Sequence, residues 1–202
     1  MNRKISSSII EKGISYLDYR MIFDQLVAEK KTSGDSQSEF LVNYTALNLQ
    51  RTTRIEKTAQ ISEETRHQLQ NFPYEMYWLV LSEVWCGDAA QNLPVISKMA
   101  DLSPNIDLKI IWRDENPDFM DQYLTNGGRS IPKLVAVKKQ DLTEMGTWGP
   151  RPLPPQQMVM DFKEKGGDKD EFMKSVQQWY NKDKSQTIQI EFSELLKSWQ
   201  NS

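Results

Sequence analysis

The sequence predicts an α/β fold: a mixed central sheet flanked by helices, with a helical N-terminal extension. Residues 76–81 form the longest apolar run, short and bulky enough for a buried strand. A second strand-like run, Ile106–Trp112, follows one helix-length later, and strand–helix–strand alternation at that spacing argues for a parallel βαβ unit. Residues 134–137 and Glu144–Trp148 then read as two more strands, turned at Asp141, the last short enough to be an antiparallel edge.

Taken in order, Ile10, Ile14, Leu17 and Met21 are spaced 4, 3 and 4, which places them on one helical face. The pattern fades toward Gly34, and Asp35 or Ser36 can cap a second helix carrying Phe40, Tyr44 and Leu47. Residues 51–60 are polar and either continue that helix or connect it onward. Ser62 with Glu63 and Glu64 reads as a further helix start, stopped at Asn71-Phe72-Pro73.

Past the first strand, Gly87 opens a helix that ends before the turn at Ser103-Pro104-Asn105. Pro117 suits the first position of a helix carrying Phe119, Tyr123 and Leu124, closed by Gly127-Gly128. The proline-rich stretch 149–155 breaks regular structure before a helix with Met158 and Phe162 that stops at Gly166-Gly167. Asp168 caps a helix with Phe172, Val176 and Trp179 inward. The C-terminal stretch from 186 is open: Ile188, Ile190 and Phe192 alternate as in a strand, while Leu195, Leu196 and Trp199 suit a helix.

Composition bounds function. The 202 residues are 38% hydrophobic and 10% aromatic, enough for a packed core in one domain with an appendage. A net charge of −3 gives no basic footprint, so nucleic acid is not an expected partner. No apolar run approaches the roughly 20 residues a membrane span needs, and the N-terminal 20 residues lack a secretory h-region. The single cysteine cannot form an internal disulfide, which fits a reducing compartment, so a cytoplasmic location is expected. One histidine, His67, in a polar helix stretch, leaves too few ligands for zinc. No metal and no bound cofactor is expected.

The functional signal is positional. Cys86 falls where the first strand hands over to a helix, a place where free backbone N–H groups and the helix dipole stabilise a thiolate. Trp85-Cys86-Gly87 resembles the start of the Trp-Cys-Gly-Pro-Cys site of the thioredoxin superfamily. Pro94 falls where that family kinks its first active-site helix, and residues 128–134, Gly-Arg-Ser-Ile-Pro-Lys-Leu, resemble its cis-proline segment. The resemblance implies a thioredoxin-like fold in a domain over residues 61–202, with 1–60 a helical extension outside it. It also implies Cys86 as nucleophile and Ile131-Pro132 beside it, where extended substrate chains pair. The chain departs from the pattern: Asp88 replaces the motif proline, Ala89 the second cysteine, and Val80 stands where many thioredoxins bury an acid.

Because Ala89 has no sulfur, the dithiol mechanism, in which a second cysteine releases the mixed disulfide, is excluded within the chain. What remains is monothiol chemistry at Cys86, with an external resolving thiol, a low-molecular-weight thiol as possible co-substrate, and protein or small-molecule thiols and disulfides as partners. The competing reading is a non-catalytic binding or scaffold protein that uses the same groove with Cys86 idle. Asp88 stabilises the helix dipole but, as a like charge, raises the thiol pKa. Trp85 is either an exposed ring at the site or a core tryptophan. Lys133 either supplies positive charge near the sulfur or is a solvated lysine at a strand end. Glu83 either handles protons in place of Val80 or faces solvent.

Overall fold

The computed structural model describes residues 3–200. Four helices precede the sheet: α1 (Ser7–Lys12), α2 (Tyr16–Ala28), α3 (Glu39–Thr58) and α4 (Glu63–Gln70). Strand β1 (Met76–Ser82) leads through Cys86 into α5 (Gly87–Ala100), then β2 (Ile106–Trp112), α6 (Pro117–Met120) and a single 3-10 turn at Asp121–Tyr123. The antiparallel strands β3 (Lys133–Lys138) and β4 (Glu144–Trp148) follow, and α7 (Leu153–Lys165), α8 (Lys169–Asp183) and α9 (Gln186–Gln200) close the chain.

The sheet order is β2-β1-β3-β4. Strand β1 pairs parallel with β2 and antiparallel with β3, so the sheet is mixed as expected. Trp78, Leu79, Val80 and Leu81 are all fully buried, which explains why β1 reads as a continuous apolar run rather than an alternating one. Trp78 packs edge-on against Phe192 and Trp199, with ring centroids 5.1 and 6.3 Å away.

The structure corrects several sequence expectations. The Ile10–Met21 stripe is not one helix: the chain extends at Gly13–Ser15, where Ile14 bridges to Ile110. Leu17 and Met21 lie exposed, and α2 instead buries Tyr19 and Phe23. Ser38, not Asp35 or Ser36, caps α3 by accepting the Leu41 N–H. The helix from Pro117 ends at Tyr123, ahead of Gly127-Gly128, and the stretch from 186 is helical. In α9, Ile188, Phe192, Leu196 and Trp199 share the buried face, a spacing of 4, 4 and 3 that outweighs the short alternation of Ile188, Ile190 and Phe192.

Helix α3 is the largest surprise. It extends through residues 51–58, but Phe40 and Leu47 point away from the core, 64% and 40% exposed. Its buried face is Thr45, Asn48, Thr52 and Ile55. Burying polar groups is tolerable only when they are hydrogen-bonded. Asn48 Nδ2 donates to the Val84 carbonyl at 3.1 Å, and the Thr45 and Thr32 hydroxyls share a bond of 2.6 Å. Helix α3 is thus fastened by hydrogen bonds to the segments that follow β1 and α2, and Phe40 is left exposed.

Candidate functional site

The site is built where β1 ends. Cys86 is the N-cap residue of α5, and its Sγ accepts the Ala89 N–H at 3.4 Å. The thiol hydrogen is directed at the Ile131 carbonyl, 3.1 Å away. Ile131–Pro132 is a cis peptide bond. The two segments singled out in the sequence, 85–88 and 131–132, therefore meet at the sulfur.

Burial acts first on this thiol and the Asp88 charge adds to it, together outweighing the Ala89 and Asp88 N–H groups and Arg151, so its pKa is pushed up to about 12. Sγ is neutral at pH 7, and its proton is already committed to a carbonyl. Cys86 is 8% exposed and forms the floor of a groove of about 410 Å³ rather than lying out of reach.

Asp88 does not face solvent. Arg151 donates to its Oδ2 from Nε at 3.0 Å and from Nη2 at 2.5 Å, and Tyr180 donates to Oδ1 at 2.8 Å. Burial raises the Tyr180 phenol well above its usual pKa, so it remains a donor. Asn92, one turn along α5, donates to both the Asp88 carbonyl and the Tyr180 hydroxyl. Arg151 reaches Asp88 because the 149–152 loop lies directly on the cis-proline turn. Gly149 has φ +105°, and a Cβ there would collide with the Pro132 carbonyl, so glycine is required on both counts.

Glu83 is buried, 1% exposed, so of its two readings the solvent-facing one fails. It accepts from the Ser33 hydroxyl and from the Asp114 N–H, the latter at 2.9 Å. Burial pushes its carboxyl up to about 6. Trp85 is half-buried, with the Arg113 guanidinium 4.6 Å from its ring centre. Lys133 turns its Nζ to the Gly149 carbonyl at 3.3 Å and does not line the groove. His67 is exposed on α4. Among the described residues no group of acidic, cysteine or histidine side chains is arranged to hold a metal ion, and no helix is long and apolar enough to cross a membrane.

Helices α3 and α8 wall the groove, with Phe40 and Tyr44 on one side and Phe172 and Met173 on the other. Phe40 and Tyr44 stack with centroids 5.8 Å apart. Tyr44 leans so closely on α5 that a Cβ on Gly87 would stand 2.8 Å from its hydroxyl oxygen. Sequence reasoning reached Trp85, Cys86, Gly87, Asp88, Ile131 and Pro132 but missed these walls and Arg151. The only sequence signal for the α3 wall was an apolar stripe that reads equally well as core.

The fold and the site together define a thioredoxin-like protein with one cysteine. The family model for thioredoxin matches residues 34–164, and the chain belongs to that family. The match begins ahead of α3 and so includes the wall helix. No curated protein matches the chain. Among solved structures, an HIV epitope-scaffold is 19% identical with a TM-score of 0.54, over 94% of this chain and 99% of the other. A Pseudomonas aeruginosa protein of unknown function is 20% identical with a TM-score of 0.48, over 83% of this chain and 96% of the other. The first of these likenesses supports the fold and nothing beyond it.

Proposed function

We propose that this thioredoxin-family protein works by binding a ligand in the groove above Cys86, with the thiol in its neutral form. The observation that carries this is the Cys86 thiol itself, buried, donating to the Ile131 carbonyl and held neutral beside the Asp88 charge. Raising a thiol from its ordinary 9.0 to about 12 cuts the thiolate at pH 7 by about a thousandfold. The greater nucleophilicity of a more basic thiolate returns only part of that, leaving exchange about 30- to 60-fold slower than at an ordinary cysteine. A rapid disulfide reductase is not built this way, and no second cysteine is present to release a trapped substrate.

Monothiol exchange remains the second reading, favoured by one feature: the sulfur faces the groove beside a cis-proline turn. It requires groove occupancy to pull the Ile131 carbonyl off the thiol. One experiment separates the two. The protein is incubated at pH 7.5 with an oxidised low-molecular-weight disulfide and weighed intact, and groove binding is compared with that of Cys86→Ser. Binding is expected to survive in the serine variant, with little adduct on the parent. Rapid adduct formation, with loss of function in Cys86→Ser, would establish the monothiol reading instead. The reading also keeps the expected cytoplasmic setting, supported by the absence of any cysteine pair to oxidise.

A further inference from the structure

The groove combines two features that a bare thiol site does not need. One is flat aromatic surface: Phe40, 64% exposed, lies in a stack with Tyr44 on the rim, across from Phe172. An exposed aromatic stack at a cavity mouth is surface kept for something apolar. The other is charge. In a chain of net charge −3, the groove is lined by Arg113, Arg129, Arg151 and Lys169 against the single carboxylate of Asp88. Arg151 is spent on Asp88. Arg113 is engaged with Asp114 and with the Arg129 carbonyl. Among the described residues, Arg129 uses Nε and Nη2 on Asp121 and leaves Nη1 without a bond, and Lys169 has no hydrogen bond or ion pair. Neither of these two cations has a carboxylate partner inside the groove.

We propose that the ligand is a small organic anion with a flat apolar body, its anionic group met by Arg129 and Lys169 and its ring by the Phe40–Tyr44 stack. This rests on the binding reading above and names the ligand class for that same groove. The size agrees: about 410 Å³ falls within the range of roughly 300–1,000 Å³ typical of small-molecule sites. Phe40 and Phe172 select shape, and Arg129 and Lys169 select charge.

The test uses two dyes that share a ring system, anilinonaphthalenesulfonate and uncharged phenylnaphthylamine, titrated into the full chain at low ionic strength. The sulfonate is expected to saturate at one per chain and to bind about tenfold more tightly than the amine, a gap that narrows with added salt. Arg129→Gln with Lys169→Gln is expected to weaken the sulfonate by about tenfold and to leave the amine within about twofold. Phe40→Ala is expected to weaken both. Equal affinities for the two dyes, or indifference of the sulfonate to charge removal, would overturn the anionic ligand while leaving the groove reading standing. An acidic extended peptide that displaces the sulfonate and binds more tightly would overturn the small ligand in favour of a polypeptide. Failure of both dyes to bind would remove the groove reading itself.

Discussion

Two carboxylates flank Cys86, Glu83 three residues before it and Asp88 two after, and the fold treats them in opposite ways. Asp88 is met by the Arg151 guanidinium and the Tyr180 hydroxyl. Glu83 is more deeply buried and, among the described residues, receives only the Ser33 hydroxyl and the Asp114 N–H, with no cation bonded to it. An ion pair keeps a buried charge, whereas burial with neutral donors alone pushes the carboxyl toward holding its proton. Asp88 is thus an ion-paired carboxylate beside the sulfur, and Glu83 a titrating group that ties the loop at Ser33 to the end of β1.

The comparison breaks most visibly at Arg151. Replacing it with leucine leaves Asp88, whose side chain is only 16% exposed, with the Tyr180 hydroxyl and no cation. The expected cost is about 2–4 kcal/mol, or a fall of roughly 5–15 °C in Tm by thermal unfolding for a chain of this size. If Arg151→Leu unfolds like the parent, the pair contributes nothing to stability.

Glu83 gives a smaller effect with a definite sign. Folded, it keeps its proton to about pH 6, while its ordinary value is 4.5. Between those values the folded chain binds more protons than the unfolded one, so stability falls as pH rises through this window, by about 2 kcal/mol from this group. Below 4.5 the contribution is fully present. Glu83→Gln is expected to flatten that part of the profile in denaturant titrations at stepped pH, and an unchanged slope would show that Glu83 is not the group responsible. Smallest is the effect of Asp88→Asn, which removes the like charge and is expected to lower the Cys86 pKa, read as a leftward shift in alkylation against pH.

The motif segments were legible because each is a local pattern: a buried strand, a cysteine at a strand–helix junction, and an isoleucine–proline pair ahead of another strand. The mixed sheet followed from the same strands, read in order with their connections. Helix α3 was not legible, because its Phe40, Tyr44 and Leu47 spacing is what a core-facing stripe produces. The true inward face carries Thr45, Asn48 and Thr52, polar residues whose burial depends on partners such as Val84, 36 residues from Asn48. Arg151 was hidden for a related reason. It sits in a stretch whose glycine and prolines read as punctuation, and its partner Asp88 is 63 residues away. Periodicity reports which side of an element is apolar, and the fold decides whether that side meets the core or a groove.

The most direct measurement is the rate of Cys86 alkylation by a small haloacetamide as a function of pH, carried out on the folded chain. A neutral, carbonyl-bonded thiol predicts a rate at pH 7 well below that of a free cysteine, still climbing beyond pH 10 toward a midpoint near 12. A plateau reached by about pH 8, below the usual cysteine range, would mean that the sulfur is an activated thiolate and would contradict the binding reading.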